Sequence, residues 1–149
     1  MNRERQLALF KEQCQAKGIK LTPQRLFIYE ELISTAEHPS AEMIYNTLKQ
    51  KFPMIALDTV HRTLDTFCEI GVAAMVEGTG SPKRFEGNLD GHHHARCVKC
   101  GKIQDVYSAA YDQLPVPPEV AQNFQVLKKT VHLEGICRAC RQTQAEDAG

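Results

Sequence analysis

The 149-residue sequence predicts an α+β fold, with an N-terminal winged helix-turn-helix domain followed by a small α/β domain built around four cysteines. Three features carry this reading. Four segments of the first half place apolar residues at helical spacing between recognisable caps. Two short strand-like runs then flank a Gly-Thr-Gly-Ser-Pro turn. Beyond Asn88–Gly91 the helical pattern gives way to short strands and two C-x2-C pairs.

Each helix has a start or a stop written into it. Leu7, Phe10 and Cys14 share a face of Arg3–Lys17, and Gly18 ends it. Thr22 caps the second helix, and Pro23 sits in the first turn, where a missing N–H costs nothing. Leu26, Ile28, Tyr29, Leu32 and Ile33 form its apolar face. His38-Pro39 breaks the chain and Ser40 caps the third helix, whose core side is Ile44, Leu48 and Phe52. The fourth helix spans Leu57–Ile70 and closes at Gly71. Leu57, Val60, Leu64 and Phe67 face inward there; Asp58, Thr59, His61, Arg62 and Asp65 face out. Val72–Glu77 and Lys83–Glu86 are the two strands of the wing, joined by the turn Gly78–Pro82. In the second half, Ile103–Tyr107, Phe124–Lys128 and Val131–Glu134 read as strands, Ala109–Leu114 and Pro118–Asn123 as short helices, and Gln142–Gly149 as a polar tail. The expected domains are residues 1–87 and 92–149, with 88–91 as a hinge.

Composition narrows the function. Apolar residues make up 42% of the chain, enough for a core, and no apolar run is long enough to span a membrane. The start, Met1–Gln6, lacks the apolar stretch of a secretory signal, so a cytoplasmic location is expected. In that reducing compartment Cys97-Val98-Lys99-Cys100 and Cys137-Arg138-Ala139-Cys140 read as one tetrahedral zinc site rather than as disulfides. Cys14 and Cys68 read as small apolar residues on helices.

Positive and negative side chains balance at 18 each, which excludes a uniformly basic nucleic-acid coat but not a local patch. Within residues 1–25 six basic residues face two acidic ones. The outward side chains at the start of the fourth helix are suited to base edges in a major groove, with Thr59, His61 and Arg62 as candidate contacts. Arg3, Arg5, Lys17, Lys20, Arg25, Lys83 and Arg84 are candidate phosphate contacts. His92 and His94 alternate, so an extended backbone points both the same way and lets them share a metal. His93 points the other way. Glu86, His38 and Asp105 offer further oxygen and nitrogen ligands, a shell suited to iron(II), manganese or zinc. With no H-E-x-x-H or similar pairing, a zinc hydrolase is disfavoured and the chain is read as a non-enzyme. A zinc-stapled interaction module without DNA binding is the other class consistent with these residues.

Several segments together resemble one known family. They are Thr22-Pro23-Gln24-Arg25, the run from His38 to Tyr45, Thr59-Val60-His61-Arg62-Thr63-Leu64, the run from His92 through Cys97 and Cys100 to Ile103, and Gly135-Ile136-Cys137 with Cys140. Their order and spacing, from about Gly18 to Cys140, resemble the ferric uptake regulator (Fur) family. The resemblance implies a homodimeric, metal-responsive transcriptional repressor, with a winged-helix DNA-binding domain and an α/β dimerisation domain, acting on a double-stranded DNA operator. It implies structural zinc on Cys97, Cys100, Cys137 and Cys140, and a regulatory Fe(II) or Mn(II) on His38, Glu86, His92, His94 and Asp105.

The Glu86-to-His94 spacing and Asp105 look like the peroxide-sensing (PerR) branch, in which a ligand histidine, here His38 or His92, is oxidised. Glu86 itself stands where that branch usually has Asp and matches the iron-uptake branch, which is the alternative. No cysteine lies between Cys68 and Cys97, unlike the zinc-uptake branch. His61 stands in place of the family's usual tyrosine and Ala56 in place of a Ser cap, which implies an altered operator preference. Lys129 falls near a further ligand position of some members, His132 is out of step with it, and His93 is either a spare ligand or an exposed residue.

Overall fold

The computed structural model describes residues 2–76 and 82–148, so Glu77 of the expected first wing strand and all but Pro82 of the expected turn Gly78–Pro82 lie outside the described residues. The chain forms two compact units, Met1–Leu89 and Asp90–Gly149. No helix among the described residues is long and apolar enough to cross a membrane.

The first unit follows its caps. Helix α1 (Arg3–Ala16) starts where Asn2 accepts from the Arg5 amide, and the chain leaves it through Gly18 at φ +70°. Thr22 caps α2 (Pro23–Ser34) by accepting from Arg25 N–H, and Ser40 caps α3 (Ala41–Lys51) by accepting from Met43 N–H. Helix α4 (Leu57–Glu69) has no side-chain cap at Ala56, a loss of about 1 kcal/mol relative to a Ser or Thr there. Gly71, at φ +80°, turns the chain out of α4.

The four helices pack around three aromatic rings. Phe10 stacks on Tyr29 at 4.0 Å and meets Phe67 edge-on at 5.2 Å. Ile28, Leu32, Ile44, Leu48, Val60 and Leu64 complete the core, all buried. Gln13 Nε2 donates to the Ile70 carbonyl at 3.0 Å, which ties α1 to the end of α4. Among the described residues of the wing, β1 (Ala74–Met75) pairs antiparallel with β2 (Phe85–Glu86). Ser40 and Phe85 then fasten β2 to the start of α3, through the Ser40–Arg84 bridge and a 2.9 Å bond from Phe85 N–H to Pro39 O.

The second unit is a three-stranded sheet in the order β4-β3-β5. Strand β3 (His93–Cys97) pairs antiparallel with β4 (Ile103–Val106) and parallel with β5 (His132–Gly135). The parallel pairing decides where the cysteines go. It sets Cys97 opposite Gly135, so both C-x2-C turns leave the same end of the sheet. The crossover between β3 and β5 holds β4 and two short helices, α5 (Ala109–Asp112) and α6 (Pro118–Asn123).

Two expectations fail in this unit. Phe124–Lys128 is not a strand: the segment is exposed and has no strand assignment. Phe124, Val126 and Leu127 are apolar, but an apolar run makes a strand only where a neighbouring edge takes its hydrogen bonds. The expected polar tail is instead part of α7 (Arg138–Ala148), which begins right after Cys137. Its Gln, Ala, Glu and Arg residues are strong helix formers without an apolar stripe, so periodicity does not reveal it.

Candidate metal centres and nucleic-acid interface

Cys97, Cys100, Cys137 and Cys140 bring their sulfurs within 4.8 Å of one another. Cys100 Sγ and Cys137 Sγ are 3.8 Å apart. That is the edge of a tetrahedron whose metal–sulfur bonds run about 2.3 Å, the zinc–thiolate length. The turn is built to present sulfur: Gly101 N–H donates to Cys97 O at 2.9 Å and takes φ +79°, a conformation open to glycine. Backbone amides of Cys137 and Cys100 point at Cys97 Sγ, at 3.3 and 3.5 Å. They lower the Cys97 thiol to about 6. Cys140 moves the other way, to about 12, because its thiol faces Cys137, loses contact with water, and then meets the sulfurs of Cys100 and Cys97. Crowded sulfurs give up a first proton readily and resist the last. A divalent cation cancels that repulsion, so the donor set fits zinc.

A second cluster lies at the start of β3 and on β4. His92 Nε2 is 3.1 Å from His94 Nε2, and both lie 3.4 Å from Asp105 Oδ1. His94 and Asp105 face each other across the β3–β4 pairing. The rings of His92 and His94 meet edge-on, with centroids 4.7 Å apart. The Asp90 carbonyl takes a hydrogen bond from His92 Nδ1, which fixes the proton there and turns the lone pair of Nε2 toward the cluster. Three nitrogen and oxygen donors so spaced match a face of a cation with bonds of about 2.1 Å. No thiolate joins them, which suits iron(II), manganese or zinc.

The first unit carries its own pair. His38 Nε2 lies 3.3 Å from Glu86 Oε2, both side chains buried. A buried imidazole facing a buried carboxylate is a metal-ligand arrangement as readily as an ion pair.

His93 is neither a spare ligand nor exposed. It is 3% exposed, its Nδ1 accepts from Val131 N–H at 2.9 Å, and its Nε2 therefore donates to Asp112 Oδ1 at 2.8 Å. With both ring nitrogens engaged, it pins β3 to α5 and to the chain entering β5. Asp112 carried no sequence signal for this, because its partner comes from another element. His132 pairs in register with His94, and its Nε2 lies 3.4 Å from Glu134 Oε1.

On α4, His61 and Arg62 are exposed and Thr59 is half-buried. Arg62 Nε lies 3.0 Å from Asp58 Oδ2, one helical turn back, so a phosphate or base edge must compete with that carboxylate. Lys20 is exposed, and Arg25 is half-buried with Nη1 donating to Lys20 O at 2.5 Å. Arg84, a candidate phosphate contact, also has partners within the fold. Its guanidinium turns inward onto the carbonyls of His38 and Glu37.

Residues 16–134 match the model of the ferric uptake regulator family. The chain is 34% identical over 125 residues to the peroxide-responsive repressor PerR of Staphylococcus epidermidis, across 84% of this chain and 83% of that one. It is 36% identical over 127 residues to PerR of Staphylococcus aureus, across 83% and 84%. The solved ferric uptake regulator of Helicobacter pylori, described as having three functional metal binding sites, is similar in fold at a TM-score of 0.77 and 22% identity, over 95% of each chain.

Proposed function

The chain belongs to the ferric uptake regulator family, and from that premise we propose that it is a peroxide-responsive repressor whose DNA binding depends on Fe(II) or Mn(II). The family is one of metal-binding transcriptional regulators that bind DNA. The observation that carries the finer reading is the triangle of His92, His94 and Asp105, with edges of 3.1, 3.4 and 3.4 Å and no sulfur.

In this reading Cys97, Cys100, Cys137 and Cys140 hold structural zinc. His38 and Glu86 complete the regulatory shell begun by His92, His94 and Asp105. A cation that binds these ligands better in one conformation than in another selects that conformation by its differential affinity. Helix α4 reads the operator through Thr59, His61 and Arg62, with Lys20 and Arg25 at the phosphates. A second copy of the chain supplies the other half-site. Exposed Tyr107, Phe124, Leu127 and Leu133 in the second unit supply apolar surface for that pairing. The protein works in the cytoplasm, where thiols stay reduced.

Iron(II), when bound, supplies the electrons that reduce peroxide. The protein's part is to hold the His38 and His92 imidazoles where oxidation reaches them. Glu86 favours the second reading, iron-responsive repression of iron uptake, because the resemblance places Asp there in the peroxide-sensing branch. The test is anaerobic loading with Fe(II), brief peroxide, and peptide mass spectrometry. One added oxygen on His38 or His92 supports peroxide sensing. Unmodified peptides with metal-dependent DNA binding retained support iron sensing.

A further inference from the structure

His38 is the one non-glycine residue with a left-handed backbone among the described residues, at φ +55°. A Cβ makes that conformation unfavourable, and it persists where surrounding groups hold it. The segment in question joins the C-cap of α2 at Thr35 to the N-cap of α3 at Ser40. What grips it is Arg84. The Arg84 guanidinium donates through Nε to the His38 carbonyl and through Nη2 to the Glu37 carbonyl, the latter at 2.6 Å. A planar fork spans two successive carbonyls in a way that a lysine ammonium does not.

Arg84 is itself fixed from both sides. Its carbonyl accepts from Val76 N–H at 2.8 Å, next to β1, and its backbone bridges to Ser40. Two residues on, Glu86 brings its carboxylate to 3.3 Å from His38 Nε2. The three residues Arg84–Glu86 therefore deliver both the partner of the His38 ring and the clamp on the His38 backbone.

We propose that Arg84 is a positioning residue for the regulatory cation, holding His38 in the left-handed turn that aims its imidazole at Glu86 and tying that geometry to the wing. This rests on the reading that His38 and Glu86 are ligands. The bonds to the two carbonyls use Nε and Nη2 of Arg84 and leave Nη1 to other acceptors. Wing and ligand geometry are thus linked through one side chain.

The test is Mn(II) affinity of the full-length, zinc-loaded protein, measured by calorimetry for wild type, His38→Ala, Arg84→Ala, Arg84→Lys and the His38→Ala/Arg84→Ala double variant. Loss of a group that orients a ligand typically weakens metal binding about 10–100-fold, and that is the loss expected for Arg84→Ala. Arg84→Lys recovers part of it. In the His38→Ala background Arg84→Ala has no further effect, because Arg84 acts through His38; a general loosening of the fold would add its own loss. Zinc content stays at the wild-type level throughout. If His38→Ala binds Mn(II) as wild type does, the regulatory-site reading fails. If His38→Ala is weakened but Arg84→Ala is not, or the two losses add, or Arg84→Lys matches wild type, this inference alone is overturned. Should Arg84→Ala not fold, Arg84→Lys and its combination with His38→Ala give the same comparison.

Discussion

Gly87 sits directly after the buried Glu86, and nothing larger fits there. A Cβ built on it would lie 2.6 Å from Ile33 Cγ2, 3.7 Å from Ile33 Cβ and 3.8 Å from Leu32 Cγ. Carbon atoms in contact sit about 3.5–4.0 Å apart, so Gly87→Ala must open this gap by roughly 1 Å. Ile33 cannot easily swing away, because a β-branched side chain on a helix has one strongly preferred rotamer. The backbone at Gly87 is not left-handed, so the whole cost is the clash. Overpacking of this kind costs about 1–3 kcal/mol. With a urea slope of about 1–3 kcal/mol/M, the midpoint of unfolding should fall by roughly 1 M. The chain has no tryptophan, so far-ultraviolet circular dichroism of the zinc-loaded protein is the probe. Ile33→Ala removes the clashing methyl, and in that background Gly87→Ala should cost much less. An unchanged midpoint in Gly87→Ala, or equal costs in both backgrounds, would refute the packing described here.

Three further outcomes are expected. Phe10→Ala should destabilise the first unit by about 3–5 kcal/mol, because the ring is fully buried and contacts both Tyr29 and Phe67; the same urea titration reads it. Burial, then Cys14, pushes the Tyr29 phenol up to about 12 from 10.0. The unfolded chain therefore releases this proton first, and stability should decline between pH 10 and 12; melting curves of Tyr29→Phe should lack that part of the decline. The Cys97 thiol is held at about 6 against an ordinary 9.0, so its thiolate stabilises the fold fully above pH 9 and loses that contribution as pH falls through 6. Protons compete with zinc for the cysteine thiolates, so a colorimetric chelator should take up more zinc as the pH is lowered from neutral.

The first unit was largely legible because its signals are local. Thr22 and Ser40 cap as the sequence implies, and Gly18 and Gly71 take the left-handed turns their positions demand. The sulfur cluster was legible for the same reason: two residues between cysteines is a local spacing, and only the parallel β3–β5 register was needed to bring the pairs together. What was hidden depends on partners distant in sequence. Nothing near His93 announces that its ring is held by Asp112 and Val131. Arg84 looks like any surface cation until the carbonyls of Glu37 and His38 are placed beside it. Phe124–Lys128 misled because an apolar run says nothing of whether an edge strand is there to pair with.

The most direct measurement is selection of DNA duplexes from a random-sequence library by the zinc-loaded protein, with and without Mn(II) at fixed salt. A two-fold symmetric sequence should be enriched with Mn(II) only, and His92→Ala should enrich nothing while keeping its zinc. Equal enrichment of one sequence with and without Mn(II), or an unimpaired His92→Ala, would contradict control of DNA binding by a cation held at His92, His94 and Asp105.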